Sequence, residues 1–333
     1  MWCEVLSFVK MLPWSCFPYL IFIPLVDCWY IERNKRNHCV DMDILSSLTV
    51  LALSPAAKKL VEVACNAIMR CAEPYLYARG EKIKAKKELE LYEEYPHKYL
   101  EYCAGIIDKL GDNKPEGLNK QLQNISKVIN FAGTFVADAD SIDTDADDES
   151  WYDRFFDEAR YVSDEMLQNL WGRLLKEKIC SPNGVNIRVL YFIRDLDRSE
   201  LDAIIKSFRF FLDKGVVPTG LIGEFPDLCD NWLTLSSLRL VVSTPLSAFQ
   251  QVSWSLKSPK KGDTISSHRA SFVIDEIYSD GDLDFPCFSL STEGEVLARL
   301  LDTTMSDEEL QVYVGFLNKI WQGKASLSYK RDQ

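Results

Sequence analysis

Three histidines, ten cysteines and a surplus of carboxylates are the groups from which this 333-residue chain could build a metal centre, a nucleophile or an acid–base pair. His38, His97 and His268 each stand apart from any Cys or His at ligand spacing, so the pattern offers no zinc site. The same isolation removes the usual imidazole base. The cysteines show no CxxC pair or regular spacing and read as reduced, mostly buried thiols. Asp143-x-Asp145-x-Asp147 has the opening rhythm of a calcium-binding EF-hand loop. However, Asp148 occupies the position that needs glycine, and Arg154 the one that needs a bidentate glutamate. No GxSxG, GxGxxG or P-loop lysine signature is present. The reading is therefore non-enzymatic, with no catalytic, metal-binding or cofactor-binding residue assigned and no cofactor expected.

Charge narrows the field further. A formal net charge of −12 argues against a whole-protein grip on nucleic acid, which needs basic surface to displace counterions from phosphates. Lys257, Lys260, Lys261 and Arg269 form one local basic group, read first as a solvated loop and speculatively as a contact. The neighbouring stretch carries Asp275, Glu276, Asp280, Asp282 and Asp284 without a base, unlike a wing that grips phosphates.

The elements that must position these groups are mostly helices. Ser54-Pro55 reads as an N-cap with proline at the first helical position, and Leu60, Val63, Ala64, Ala67, Ile68 and Cys71 recur at helical spacing before Pro74. A lysine-rich, mixed-charge helix is expected over residues 82–91. A break at 111–117 precedes a third, with Leu118, Leu122, Ile125, Val128, Ile129 and Ala132 on one face. An acidic linker occupies 138–149. Ser150 can then cap a helix carrying Trp151, Phe155, Phe156, Ala159 and Val162. Ser163-Asp164-Glu165 starts a second with Met166, Leu167, Leu170, Trp171, Leu174 and Leu175. Ser181-Pro182-Asn183-Gly184 ends that hairpin, and Val189, Leu190, Ile193 and Leu196 continue helically. Asp197 and Glu200 have capping-box spacing ahead of a helix that stops before Gly215.

From about residue 226 the pattern changes. A helix led by Phe225-Pro226 is followed by short strand-like runs at 240–243, 249–256, 271–278 and 285–290, with Asp280-Gly281 as a hairpin turn between the last two. Helices return at 292–301 and after the capping box Ser306 to Glu309. The fold class expected is mainly α, a helical array with a C-terminal winged-helix-like α+β portion. Its divisions are an apolar leader (1–41), an N-terminal helical region (42–137), the acidic linker (138–149), a central helical domain (150–225) and the winged-helix-like part (226–333).

The leader's uncharged run, residues 12–26, is shorter than the roughly 20 residues that span a membrane, and Pro13, Pro18 and Pro24 interrupt it. The basic cluster Arg33, Lys35 and Arg36 follows it and no small-residue cleavage site comes after it, unlike a signal peptide. A translation start at Met42 would remove it; if retained and inserted, it would leave the remainder cytoplasmic.

The pair Trp151 and Phe155-Phe156, the join Val162-Ser163-Asp164-Glu165 and the run Leu170-Trp171-x-x-Leu174-Leu175 resemble the uncharacterised bacterial family called domain of unknown function 2806. Weaker similarity touches Ser54-Pro55, Gln123-Asn124-Ile125 and Phe288 to Leu297. Lys176-Glu177-Lys178 and Asn186-Ile187-Arg188 depart from the pattern expected at the two turns. The resemblance implies a bacterial origin and a mostly helical fold, and it leaves the leader unmatched. It brings no activity.

Function is thus expected to be interaction or regulation: a cytoplasmic module engaging a protein partner or its own copy. Nucleic-acid binding through the winged-helix-like part is the first alternative. A membrane-associated component of a phage-defence or other conflict system, using the leader, is the second. The signature residues Trp151, Phe155, Phe156, Asp164, Leu170, Trp171, Leu174 and Leu175 read as core.

Overall fold

The computed structural model describes residues 54–78, 105, 116–136, 149–213, 215–242, 253–267 and 269–331. The leader, the 82–91 helix, nearly all of the acidic linker and all three histidines lie outside them. The chain divides into two units, Met1–Met42 and Asp43–Gln333, and every described residue belongs to the second.

Helix α1, Pro55–Ala78, opens where Ser54 Oγ accepts from the Ala57 amide at 3.1 Å. It runs through Pro74 instead of stopping before it. Leu76, only 2% exposed, anchors the turn beyond, against the backbone hydrogen bond that proline forfeits. Helix α2, Glu116–Val136, buries Leu118, Leu122, Ile125, Val128, Ile129, Ala132 and Val136 along one stripe. The hairpin follows as α3, Glu149–Ala159, and α4, Glu165–Cys180. Ser150 lies inside α3 and not at its cap position, whereas Asp164 caps α4 by accepting from the Met166 and Leu167 amides.

These two helices bury their stripes against α2 as well as each other. At Gly172 a Cβ would come within 2.5 Å of the Phe131 Cβ and 2.9 Å of the Ala132 amide nitrogen, so α4 lies almost backbone-to-backbone on α2. After a 3-10 turn at Pro182–Gly184, Asn186 caps α5, Ile187–Asp195. Asp197 and Glu200 close the expected capping box on α6, Arg198–Phe208.

Strand β1, Val216–Pro218, leads through a 3-10 segment, Thr219–Gly223, to α7, Pro226–Ser237. The remaining elements are β2 (Val241–Val242), β3 (Ser253–Leu256), β4 (Thr264–Ser267), β5 (Ala270–Ile277), β6 (Leu283–Leu290), α8 (Thr292–Leu300), α9 (Asp307–Ile320) and β7 (Ala325–Arg331). One antiparallel sheet has the order β1-β6-β2, with β3 pairing the first half of β6; the other has the order β4-β5-β7. The β1–β6 pairing crosses the division expected at 225/226.

The expected hairpin between 271–278 and 285–290 does not form. β5 gives its edges to β4 and β7, while β6 pairs with β1, β2 and β3. Phe272 and Ile274 on β5, and Leu283, Phe285 and Cys287 on β6, are all buried. They line a shared core in which Tyr313 stacks on Phe272 at 4.7 Å and the Trp321 ring lies 5.9 Å from Phe285. Asp280-Gly281 thus turns the chain between sheets, with Gly281 at φ +132°.

Candidate functional site

Phe155 is the centre of the signature. Its ring stacks on Trp151 at 5.2 Å, meets Phe156 edge-on at 5.0 Å and tilts against Trp171 at 5.0 Å. Trp151, Phe155, Phe156, Leu170, Trp171, Leu174 and Leu175 are all buried. Lys178, also buried, sets its ammonium 5.3 Å from the Trp151 ring centroid and donates to the Pro182 and Val185 carbonyls at 2.9 and 3.5 Å. A buried lysine is tolerable where an aromatic face and carbonyls replace water around the charge. Lys176-Glu177-Lys178, expected at a turn, lies inside α4, and Lys178 ties the end of that helix to the turn that follows it.

Asp164 does two jobs at the other end of α4. Besides capping the helix, its second oxygen accepts from Arg198 at 2.9 Å, joining α4 to α6. The Leu167 amide is the main force holding its carboxyl below the usual carboxylate range, with Arg198 adding to it.

The four basic residues do not converge. Lys257 pairs with Asp282 at 2.6 Å, and Arg269, at the tip of the β4–β5 hairpin, pairs with Asp302 at 2.7 Å. Lys260 and Lys261 are exposed on the β3–β4 loop.

Two features had no sequence signal of their own. The first is the outer face of α7. Leu228 and Leu235 are buried, and the Trp232 ring packs 4.7 Å from Phe288 on β6. This orientation leaves Leu233 80% exposed, alongside exposed Cys229, Asp230, Ser236 and Ser237. Arg209 holds the start of this helix by reaching Asp227 at 2.6 Å and Glu309 on α9 at 2.8 Å, its guanidinium 4.9 Å from the Phe210 ring centroid. The periodicity of α7 alone shows three leucines and a tryptophan; tertiary packing selects which one faces out. The second feature is a cleft of about 470 Å³ beside the signature helix. It is lined by α2, α4, α6 and the segment after α8, with Arg173 in its wall. Among the described residues no group of three or more His, Cys, Asp and Glu is arranged to hold a metal ion.

The helical array and its small antiparallel sheets make the described unit a mainly α protein. Residues 114–218 match the family described as Protein of unknown function (DUF2806), which is the family that the tryptophan-bearing hairpin resembles. The matched stretch takes in α2 to β1 and the whole aromatic junction. No curated protein and no solved structure matches the chain.

Proposed function

We propose that the chain is a non-catalytic, cytoplasmic protein-interaction or regulatory module whose partner docks on α7 of a winged-helix-like unit. The topology supports the unit: α6, a short helical turn, α7 and a sheet in the order β1-β6-β2 follow the helix and strand arrangement of a winged helix. In this reading, the chain between β2 and β6 is an enlarged wing. The observation that carries the docking role is Leu233, 80% exposed on a well-anchored helix that contains no Lys or Arg. A major-groove helix needs side chains that donate to base edges and phosphates, whereas an exposed leucine among small and acidic residues suits an apolar pocket on a protein.

Site-specific photo-crosslinking from position 233 in the producing cell tests this reading. A discrete adduct is expected from position 233 and not from Tyr77, which is 82% exposed on α1. Loss of the adduct is expected when Asp230 is replaced by Lys in the same chain. Equal labelling from both positions, or none from 233, sinks the proposal.

Nucleic-acid binding is kept as a second reading because Lys260 and Lys261 stand exposed, and without an ion pair among the described residues, on the β3–β4 loop. Retention on duplex DNA at low salt, abolished by Lys260→Glu with Lys261→Glu, is its expected signature; no retention at low salt eliminates it. The conflict-system alternative depends on the leader. Among the described residues no helix is long and apolar enough to cross a membrane. Intact mass of the purified protein decides whether residues 1–41 are retained.

A further inference from the structure

We propose that the cleft between α2, α4 and α6 binds a small monocarboxylate with an apolar body, its carboxylate taken by Arg173. At about 470 Å³ the cleft falls within the range of roughly 300–1,000 Å³ occupied by small-molecule sites. Its walls are largely apolar, with Phe131 from α2, Leu170 from α4, Leu201 and Ile205 from α6, and Leu301 beyond α8. Against that background one cation is held in place from three sides. Arg173 Nε donates to Asn169 Oδ1 at 2.9 Å, Nη1 donates to the Leu300 carbonyl at 3.3 Å, and the guanidinium lies 4.4 Å from the Phe135 ring centroid. Two of the five N–H donors of a guanidinium are thereby engaged, and its orientation is set before any ligand arrives.

Among the described residues Arg173 has no ion-pair partner, and Asp302 acts on it only through its charge. Asp302, a cleft-wall acid, is already held by Arg269 at 2.7 Å. Burial presses the Arg173 pKa downward, and Arg269 adds to that while Asp302 opposes it, so an arriving anion would relieve an existing penalty. The second arginine of the cleft, Arg198, is engaged by Asp164 at 2.9 Å. Glu165 and Asp302 also line the cleft and would repel a dianion. A guanidinium without an ion-pair partner among the described residues, two acids and apolar walls therefore select a singly charged carboxylate carried on hydrocarbon over inorganic phosphate.

The test uses the full chain with hexanoate as probe, and hexanamide and inorganic phosphate as comparisons. Titration of the wild-type protein followed by NMR of the arginine side-chain N–H signals is expected to shift Arg173 with hexanoate and leave it unmoved by hexanamide. Calorimetry is expected to show weaker hexanoate binding, by about tenfold or more, in Arg173→Met and in Asn169→Asp. The second variant keeps the arginine and gives it an internal carboxylate. Failure of hexanoate to move Arg173, equal binding of hexanamide, tighter binding of phosphate, or unchanged affinity in a folded variant overturns the proposal. The wild-type titration decides the matter even where Arg173→Met does not fold.

Discussion

Phe155 touches Trp151, Phe156 and Trp171 at ring separations of 5.0 to 5.2 Å and is fully buried, so its removal opens a void that three neighbouring rings cannot close together. Phe155→Ala is expected to cost about 3–5 kcal/mol, read as a lower midpoint in chemical denaturation with tryptophan fluorescence as probe. A loss below about 1 kcal/mol would show that the junction repacks freely. Asp164 makes a pH-dependent contribution. Its carboxyl sits below the ordinary range in the folded chain because the Leu167 amide and Arg198 favour the charged form. That contribution is complete above the unfolded carboxylate pKa and is lost as pH falls through the lower folded value. Asp164→Asn keeps an oxygen for the cap but no charge, so its melting temperature is expected to fall less between neutral and acid pH than the wild type's. Identical slopes would remove Asp164 from the acid response. The identities of both residues were legible from sequence because they sit in a periodic stripe and at a helix start. Arg173 was not, since nothing in its spacing distinguishes a half-buried guanidinium from one on a solvated face.

Elements held to the extent that local chemistry decided them. The capping boxes at Asp197 and Ser306 and the cap at Asp164 form, because a cap is a contract between residues three apart. Ser150 lies inside α3 instead of capping it, and Asn186 caps α5 without having been expected to. Strand pairing is not local. Asp280-Gly281 has good turn chemistry, yet β5 and β6 go to different sheets. Instead the tight hairpin is β4–β5, whose register Ser267↔Ala270 leaves two residues in the turn. Arg269 there takes φ +54° where a glycine or asparagine would have announced the turn. β7 was missed altogether. Its alternation, with Ala325 and Leu327 buried and Ser328 exposed, is short and follows a helix, and its pairing with β5 is set by distant residues. Gly172 is the element-scale residue with the sharpest consequence. Alanine would favour the isolated helix by about 1 kcal/mol, but its Cβ would press into Phe131 and the Ala132 backbone. Pushing α2 and α4 apart is expected to outweigh that gain, for a net loss of about 1–2 kcal/mol, measurable as a lower denaturation midpoint. A stabilised Gly172→Ala variant would mean that the two helices slide apart without cost.

At the scale of the molecule, the position of independent folding units follows from which contacts cross each connection. The division drawn from composition at 225/226 cuts β1 from β6 and separates Arg209 from both Asp227 and Glu309. It also takes α6 away from α7, against which the buried Leu228 and Leu235 need a partner. The turn at 181–186 is crossed more lightly: Arg198 pairs with Asp164 and Arg194 with Glu158, and Arg173 reaches the Leu300 carbonyl. Composition changes at 226 because strand-like residues begin to dominate only there, while β1, which pairs with β6, precedes it. A fragment of residues 186–333 is therefore expected to give a dispersed amide NMR spectrum, and a fragment of 226–333 a collapsed one. The shorter piece retains β4, β5 and β7 with their own pairings, so residual strand signals alone do not count as folding. The discriminating readout is protection of the β6 amides against hydrogen exchange, since Leu290 donates to the Gly215 carbonyl at 2.7 Å and loses that partner only in the shorter fragment. Equal β6 protection in both fragments would show that β1 and α6 are dispensable and would return the boundary to 226.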